Sequence, residues 1–183
     1  NVLQDMYCRG VDVKFMVYDL LPIEFPEFWE SQHSLHIGVT EWLSVVTSLG
    51  GAVCISKSVA DALSDWVKVN EIKRHRDFAI DWFHLGADIE STHTHKENYD
   101  GDETVISQLD ERSTFLMVGT LEPRKGHAQV LDAFDQLWRH NHEINLVIVG
   151  KQGWLVENLV ERLRDHAELN KHLFWLEGIT DEY

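Results

Sequence analysis

Hydrophobic and polar positions along this chain alternate between two periods. Short apolar runs read as strands at Val11–Val17 (VDVKFMV), Ala52–Ile55 (AVCI) and Phe78–Phe83. Between them lie stretches with helical spacing. From Glu27 to Leu49 the positions Phe28, Leu35, Val39, Trp42, Leu43, Val46 and Leu49 recur at helical intervals, and Gly50-Gly51 stops the run. Ser56 then stands where an N-cap would open a helix over Lys57–Val67. After residue 112 the rhythm repeats. Strands are expected at 114–118, 145–149 and 172–176, with helices at 128–139 and 155–167. Strands alternating with helices imply a parallel sheet with helices packed on its faces.

Residues 89–111 break the pattern. They are polar, acidic and weakly periodic, so they read as a surface linker and a domain boundary. The expected organisation is a first domain over 1–90, a linker over 91–111 and a second domain over 112–183. Three strands after residue 112 make half of a doubly wound sheet, which leaves an edge in need of a partner.

In such sheets ligands bind beyond the carboxyl ends of the strands. The loops to inspect are therefore 18–22, Ser56, 84–88, 119–126, 150–154 and 178–180. The run Val118-Gly119-Thr120-Leu121-Glu122-Pro123-Arg124-Lys125-Gly126-His127 stands out. It is a basic, Gly-flanked loop that follows a buried strand and opens a helix. A helix N-terminus offers unpaired N–H groups and a positive dipole end, which suit phosphate. Arg124 adds a fork that can grip two phosphate oxygens, and Lys125 adds a point charge. This is neither a P-loop nor a G-x-G-x-x-G fingerprint. Basic residues at such a place are otherwise only solvated.

Charge narrows the choice. The chain has 183 residues and a formal net charge of −15. Such a surface repels nucleic acid and anionic lipid, so an anionic ligand must find a local basic pocket. No stretch approaches the roughly 18–20 apolar residues of a membrane span. The two cysteines, Cys8 and Cys54, make no disulfide framework and fit a reducing compartment.

At this point the residues resemble a family. FLMVGTLEPRKGHAQVLDAF, NLVIVGKQGW and LFWLEGITDEY are similar, in that order, to the carboxyl-terminal domain of retaining GT-B glycosyltransferases of family 4. The likeness is strongest to bacterial mannosyl- and rhamnosyltransferases of surface-polysaccharide assembly. Upstream, VYDLLPIEFPEF, AVCISKSVADAL and FHLGAD resemble pieces of the amino-terminal domain. The fold implied is α/β: GT-B type Rossmann-like parallel sheets, comprising the end of the amino-terminal domain and the first half of the carboxyl-terminal nucleotide-sugar domain.

The resemblance also implies roles. Arg124 and Lys125 would grip the donor diphosphate, Lys125 in the family's Lys-Gly position. Many relatives carry Gly-Arg where this chain has Gly119-Thr120, so Arg124 would compensate. Gly119, Thr120, Gly126 and Gly150 would line the donor site, with Gly178, Ile179 and Thr180 at the base. Asp19 would contact the sugar or acceptor, although an Asx-turn explains it equally well. No cofactor or catalytic metal is implied, because the basic residues supply the electrostatics. The partners implied are a nucleotide-sugar donor, GDP-mannose foremost, and a glycan or lipid-linked glycan acceptor. The site of action would be cytoplasmic, at the inner face of the membrane beside an assembly complex.

Other candidates weigh less. Ser56 reads first as a cap and His84 as a packed strand-end residue. His93 and His95 lack the further ligands of a metal site. Trp138, Trp154 and Trp175 read as core or cleft walls. A Glu-x7-Glu motif and a Gly-rich acceptor loop of the family fall outside Asn1–Tyr183, so the resemblance implies an internal piece of a larger enzyme. Two other functions stay open: a non-catalytic sugar-nucleotide-binding module of a multi-domain polymerase, and a GT-B-fold sugar-nucleotide epimerase.

Overall fold

The computed structural model describes residues 2–30, 32–72, 78–86 and 103–179. The chain divides into two compact units, Asn1–Ile89 and Glu90–Tyr183.

The first unit runs α1 (Val2–Cys8), β1 (Lys14–Val17), α2 (Leu21–Glu24), α3 (Gln32–Thr47), β2 (Gly51–Cys54), α4 (Lys57–Val69) and β3 (Ala79–Trp82). Its three strands are parallel in the order β1-β2-β3, with Val17, Cys54 and Trp82 in register. Val17, Leu43, Val46, Cys54 and Leu63 are fully buried, so α3 and α4 seal one core against the sheet. The helix expected from Glu27 to Leu49 is shorter. Pro26 opens a single 3₁₀ turn at Pro26–Phe28, and Trp29 is extended, which separates Phe28 from α3. The first strand likewise contracts to Lys14–Val17. Ser56 caps α4 as its position suggested, its hydroxyl accepting from the Val59 N–H at 3.3 Å.

The second unit runs α5 (Glu103–Asp110), β4 (Ser113–Val118), α6 (His127–Arg139), β5 (Ile144–Val149), α7 (Glu157–Arg164) and β6 (Leu173–Leu176). Its strands are also parallel, in the order β4-β5-β6, with Val118, Val149 and Leu176 in register. Helix α5 lies inside the stretch read from composition as linker. Its Gln108 carbonyl accepts from the buried Asn145 amide at 3.3 Å, which anchors the helix to β5. Residues 91–102, with His93 and His95, lie outside the described residues.

Helices α6 and α7 bury Leu131, Phe134, Val160 and Leu163 against Leu146, Ile148 and Leu173. A polar staple joins the same two helices. Asp135 accepts from Arg162 at 2.6 Å and pairs with the His166 Nε2 at 2.7 Å. Arg162 also reaches Asp132 at 2.6 Å. Burial alone would raise the Asp135 pKa, but the hydrogen bonds from Arg162 and His166 outweigh it and hold the carboxyl below its ordinary value. Strand β4 ends the sheet with Leu116 and Val118 exposed, whereas the central β5 buries Asn145 to Ile148.

Candidate functional site

The carboxyl edge of the second sheet gathers three loops. Gly119 leaves β4 with φ 140°, and its N–H donates to the Val149 carbonyl at 2.8 Å. Gly150 leaves β5 with φ 156°, and its N–H donates to the Leu176 carbonyl at 2.9 Å. A Cβ at Gly150 would collide with the Gly119 carbonyl. Glycine is therefore required for the two loops to touch. Beyond them the Leu121 N–H donates to the Lys151 carbonyl, and the Gly153 N–H to the Leu121 carbonyl, both at 3.0 Å. The Glu177 carboxylate accepts from the Gln152 N–H at 3.3 Å, and the Trp175 indole donates to the Gly150 carbonyl at 2.8 Å. All three strand ends are thus stitched into one rim.

The basic loop folds back over this rim. Pro123–Lys125 form a 3₁₀ turn, and Gly126, at φ 74° in the left-handed region, turns the chain into α6. The Lys125 ammonium returns to Gly119, lying 2.9 Å from where a Cβ of that residue would be. The missing side chain at Gly119 is thus the space that Lys125 occupies. No side chain caps α6, so its first N–H groups keep the donor character of a helix start.

Two residues of this loop were not legible as site residues. Glu122 is buried, 7% exposed, in the middle of the basic run. Its Oε2 lies 2.9 Å from the Arg124 Nε and its Oε1 lies 3.8 Å from the Lys125 ammonium. The Arg124 contact is an ion pair without hydrogen-bond alignment, because Oε2 has no hydrogen-bond partner among the described residues. His127, the first residue of α6, is 2% exposed, and its Nδ1 is also without a partner among them. Burial lowers the His127 pKa, and the Lys125 charge lowers it further against the opposing pull of Glu122. The signal for Glu122 was an acid two positions before Arg124. For His127 there was none, since burial is a tertiary property.

The predicted site residues divide as follows. Gly119, Thr120, Arg124, Lys125, Gly126 and Gly150 belong to the interlocked loops of β4 and β5, and Gly178 and Ile179 follow β6 on the same edge. Thr180 lies outside the described residues. Arg124, expected to replace a missing loop arginine, has Glu122 as its partner. Asp19 belongs to the first unit, and its carboxylate accepts from the Leu21 N–H at 3.1 Å, making the Asx-type turn that was the alternative reading. His84 packs edge-on against Trp82 with ring centres 5.0 Å apart. Among the described residues no cluster of three or more His, Cys, Asp or Glu could hold a metal, and no helix is long and apolar enough to cross a membrane.

Parallel α/β units with a basic, glycine-shaped rim at the strand ends are consistent with the Rossmann-like sheets of a GT-B glycosyltransferase fragment. Residues 102–183 match the family model described as glycosyl transferases group 1. Among curated proteins, the chain is 39% identical over 184 residues to the serotype-specific mannosyltransferase WbdA of Escherichia coli, an alignment covering 99% of this chain. Another Escherichia coli protein of that name is 39% identical over 181 residues, covering 97% of the chain. The chain spans 22% of the length of these relatives. The matches support a glycosyltransferase domain with mannosyltransferase relatives.

Proposed function

We propose that this chain is part of a retaining glycosyltransferase of family 4. It transfers mannose from GDP-mannose to a growing bacterial surface polysaccharide of the O-antigen kind. The observation that carries this reading is the Lys125 ammonium lodged over Gly119 at the sheet's carboxyl edge, beside the uncapped start of α6. The likeness to mannosyltransferases supports the choice of sugar. In this reading Lys125 and Arg124 neutralise the donor diphosphate as charge develops on the leaving group, the role of preorganised donors in electrostatic catalysis. These two cations take the place of a catalytic metal. Gly178, Ile179 and Thr180 meet the base, and Asp19 contacts the sugar or the acceptor. The acceptor is a glycan or lipid-linked glycan at the inner face of the cytoplasmic membrane, where the rest of the enzyme meets its assembly partners.

Calorimetric titration with GDP, UDP and dTDP tests the donor site. GDP is expected to bind best, and Lys125→Ala to weaken it. In a transfer assay with the full enzyme, the chain alone being expected to be inactive, Lys125→Ala is expected to lose about 10²–10³ in kcat/KM. A loss below about fivefold would remove Lys125 from the electrostatic role that this magnitude describes.

A further inference from the structure

A carboxylate buried among the cations of an anion site needs an explanation, because it cancels charge that the ligand would use. Glu122 is such a group, and an isolated buried carboxylate is costly unless paired. Its two oxygens face different cations, Oε2 the Arg124 Nε at 2.9 Å and Oε1 the Lys125 ammonium at 3.8 Å. Its backbone carbonyl accepts from the Lys125 N–H at 3.1 Å, which closes the 3₁₀ turn that carries both cations. A Cβ at Gly153 would stand 3.3 Å from its Cγ, so the glycine of the β5 loop leaves the room that the carboxylate's stem takes. Neither contact completes the carboxylate, since Oε2 lacks an aligned donor.

We infer that Glu122 is a positioning residue: a built-in counter-anion that holds Arg124 and Lys125 in place until the donor diphosphate replaces it as their partner. The inference rests on the donor-site reading above. Before binding, the carboxylate keeps two long cationic side chains from dispersing into water, which spares part of the ordering cost on binding. The loop then carries a net +1 from these three groups. When a diphosphate arrives, the cations exchange a weakly aligned carboxylate for phosphate oxygens, which both can reach with full hydrogen bonds.

This gives Glu122 opposite effects on affinity and turnover. Glu122→Gln removes the competing charge and keeps the size. GDP is expected to bind about three- to tenfold tighter, since a full unit charge beside the phosphates is lost. The logarithmic slope of affinity against salt is expected to steepen as well. Turnover is expected to fall at least about tenfold, because the cations are no longer held for the transition state. Glu122→Asp restores the charge and is expected to bring both values back towards wild type. A purely structural Glu122 would lose affinity and turnover together.

The test is calorimetric titration of wild type, Glu122→Gln, Glu122→Asp and Lys125→Ala with GDP at two salt concentrations. Kinetics with GDP-mannose and a thermal midpoint accompany each variant. Tighter GDP with slower turnover in Glu122→Gln, rescued in Glu122→Asp, supports the counter-anion. Weaker or unchanged GDP binding in a folded Glu122→Gln overturns it, provided Lys125→Ala still weakens GDP. If Lys125→Ala binds GDP like wild type, or wild type binds none, the donor-site reading fails and the counter-anion with it. Should Glu122→Gln fail to fold, Glu122→Asp decides. Its carboxylate keeps the charge beside the cations, so GDP affinity and turnover close to wild type are expected, and a parallel loss of both overturns the inference.

Discussion

At the scale of single residues, the rim of the second sheet is governed by what is missing from its glycines. Gly150 cannot carry a side chain, because φ 156° and contact with the Gly119 carbonyl leave no room. Gly150→Ala is expected to destabilise the second unit by about 1–3 kcal/mol, the usual cost of a forced backbone conformation. Urea denaturation measures it, and a change within about 0.3 kcal/mol would contradict the strain that this cost reflects. His127 offers a pH handle. Its imidazole is buried with its pKa lowered, first by burial and then by Lys125. The unfolded chain therefore takes up this proton more readily. The stability tied to His127 is complete above about pH 6.5, the ordinary imidazole value, and is lost as pH falls through it towards the depressed folded value. His127→Gln should flatten this part of the profile. Urea midpoints at pH 7.5 and 5.5 decide: an equal drop in variant and wild type removes His127 from the account.

At the scale of elements, the α6–α7 pair is held by an apolar seam and by the Asp135 staple. Leu163 is fully buried in that seam, and Leu163→Ala is expected to cost about 2–5 kcal/mol. Asp135 is three-quarters covered and joined to Arg162 and His166, so Asp135→Asn is expected to cost about 1–3 kcal/mol at neutral pH. The folded pKa of Asp135 is depressed, so its contribution is present above the ordinary carboxylate value of about 3.9 and is lost as pH falls below it. The difference between variant and wild type should shrink over that range, as acid unfolding followed by circular dichroism would record. A gap that persists to pH 2 would show that the carboxylate's charge is not the source.

At the scale of the whole molecule, charge and periodicity carry different information. A net charge of −15 makes the chain repel itself, so screening should stabilise it. Raising NaCl from 20 to 300 mM is expected to lift the thermal midpoint by about 2–5 °C, and a fall would show that specific ion pairs outweigh the general repulsion. The alternation of apolar runs and helical spacing settled the parallel α/β character on its own, because burial on both faces of β5 demands an unbroken apolar strand and covering helices leave their own period. Loop 119–126 was legible for the same reason: glycines and cations after a strand are local signals. Helix α5 was not, since its polar sequence is tied to the sheet by hydrogen bonds from Asn145 to the Gln108 carbonyl and from the Thr114 hydroxyl to the Leu109 carbonyl, the first of which no local pattern reveals. The helix expected from Glu27 overran for the opposite reason, as a local break at the extended Trp29 was hidden beneath a continuous apolar period. Sequence alone thus determined the class of sheet, the strand-end loops and the basic residues among them, all set by neighbours along the chain. Only the tertiary structure decided that Lys125 fills the space above Gly119, that His127 is buried, and that Glu122 stands between the cations. Those facts depend on which loops press together across strands, and that is fixed by packing rather than by order in the chain.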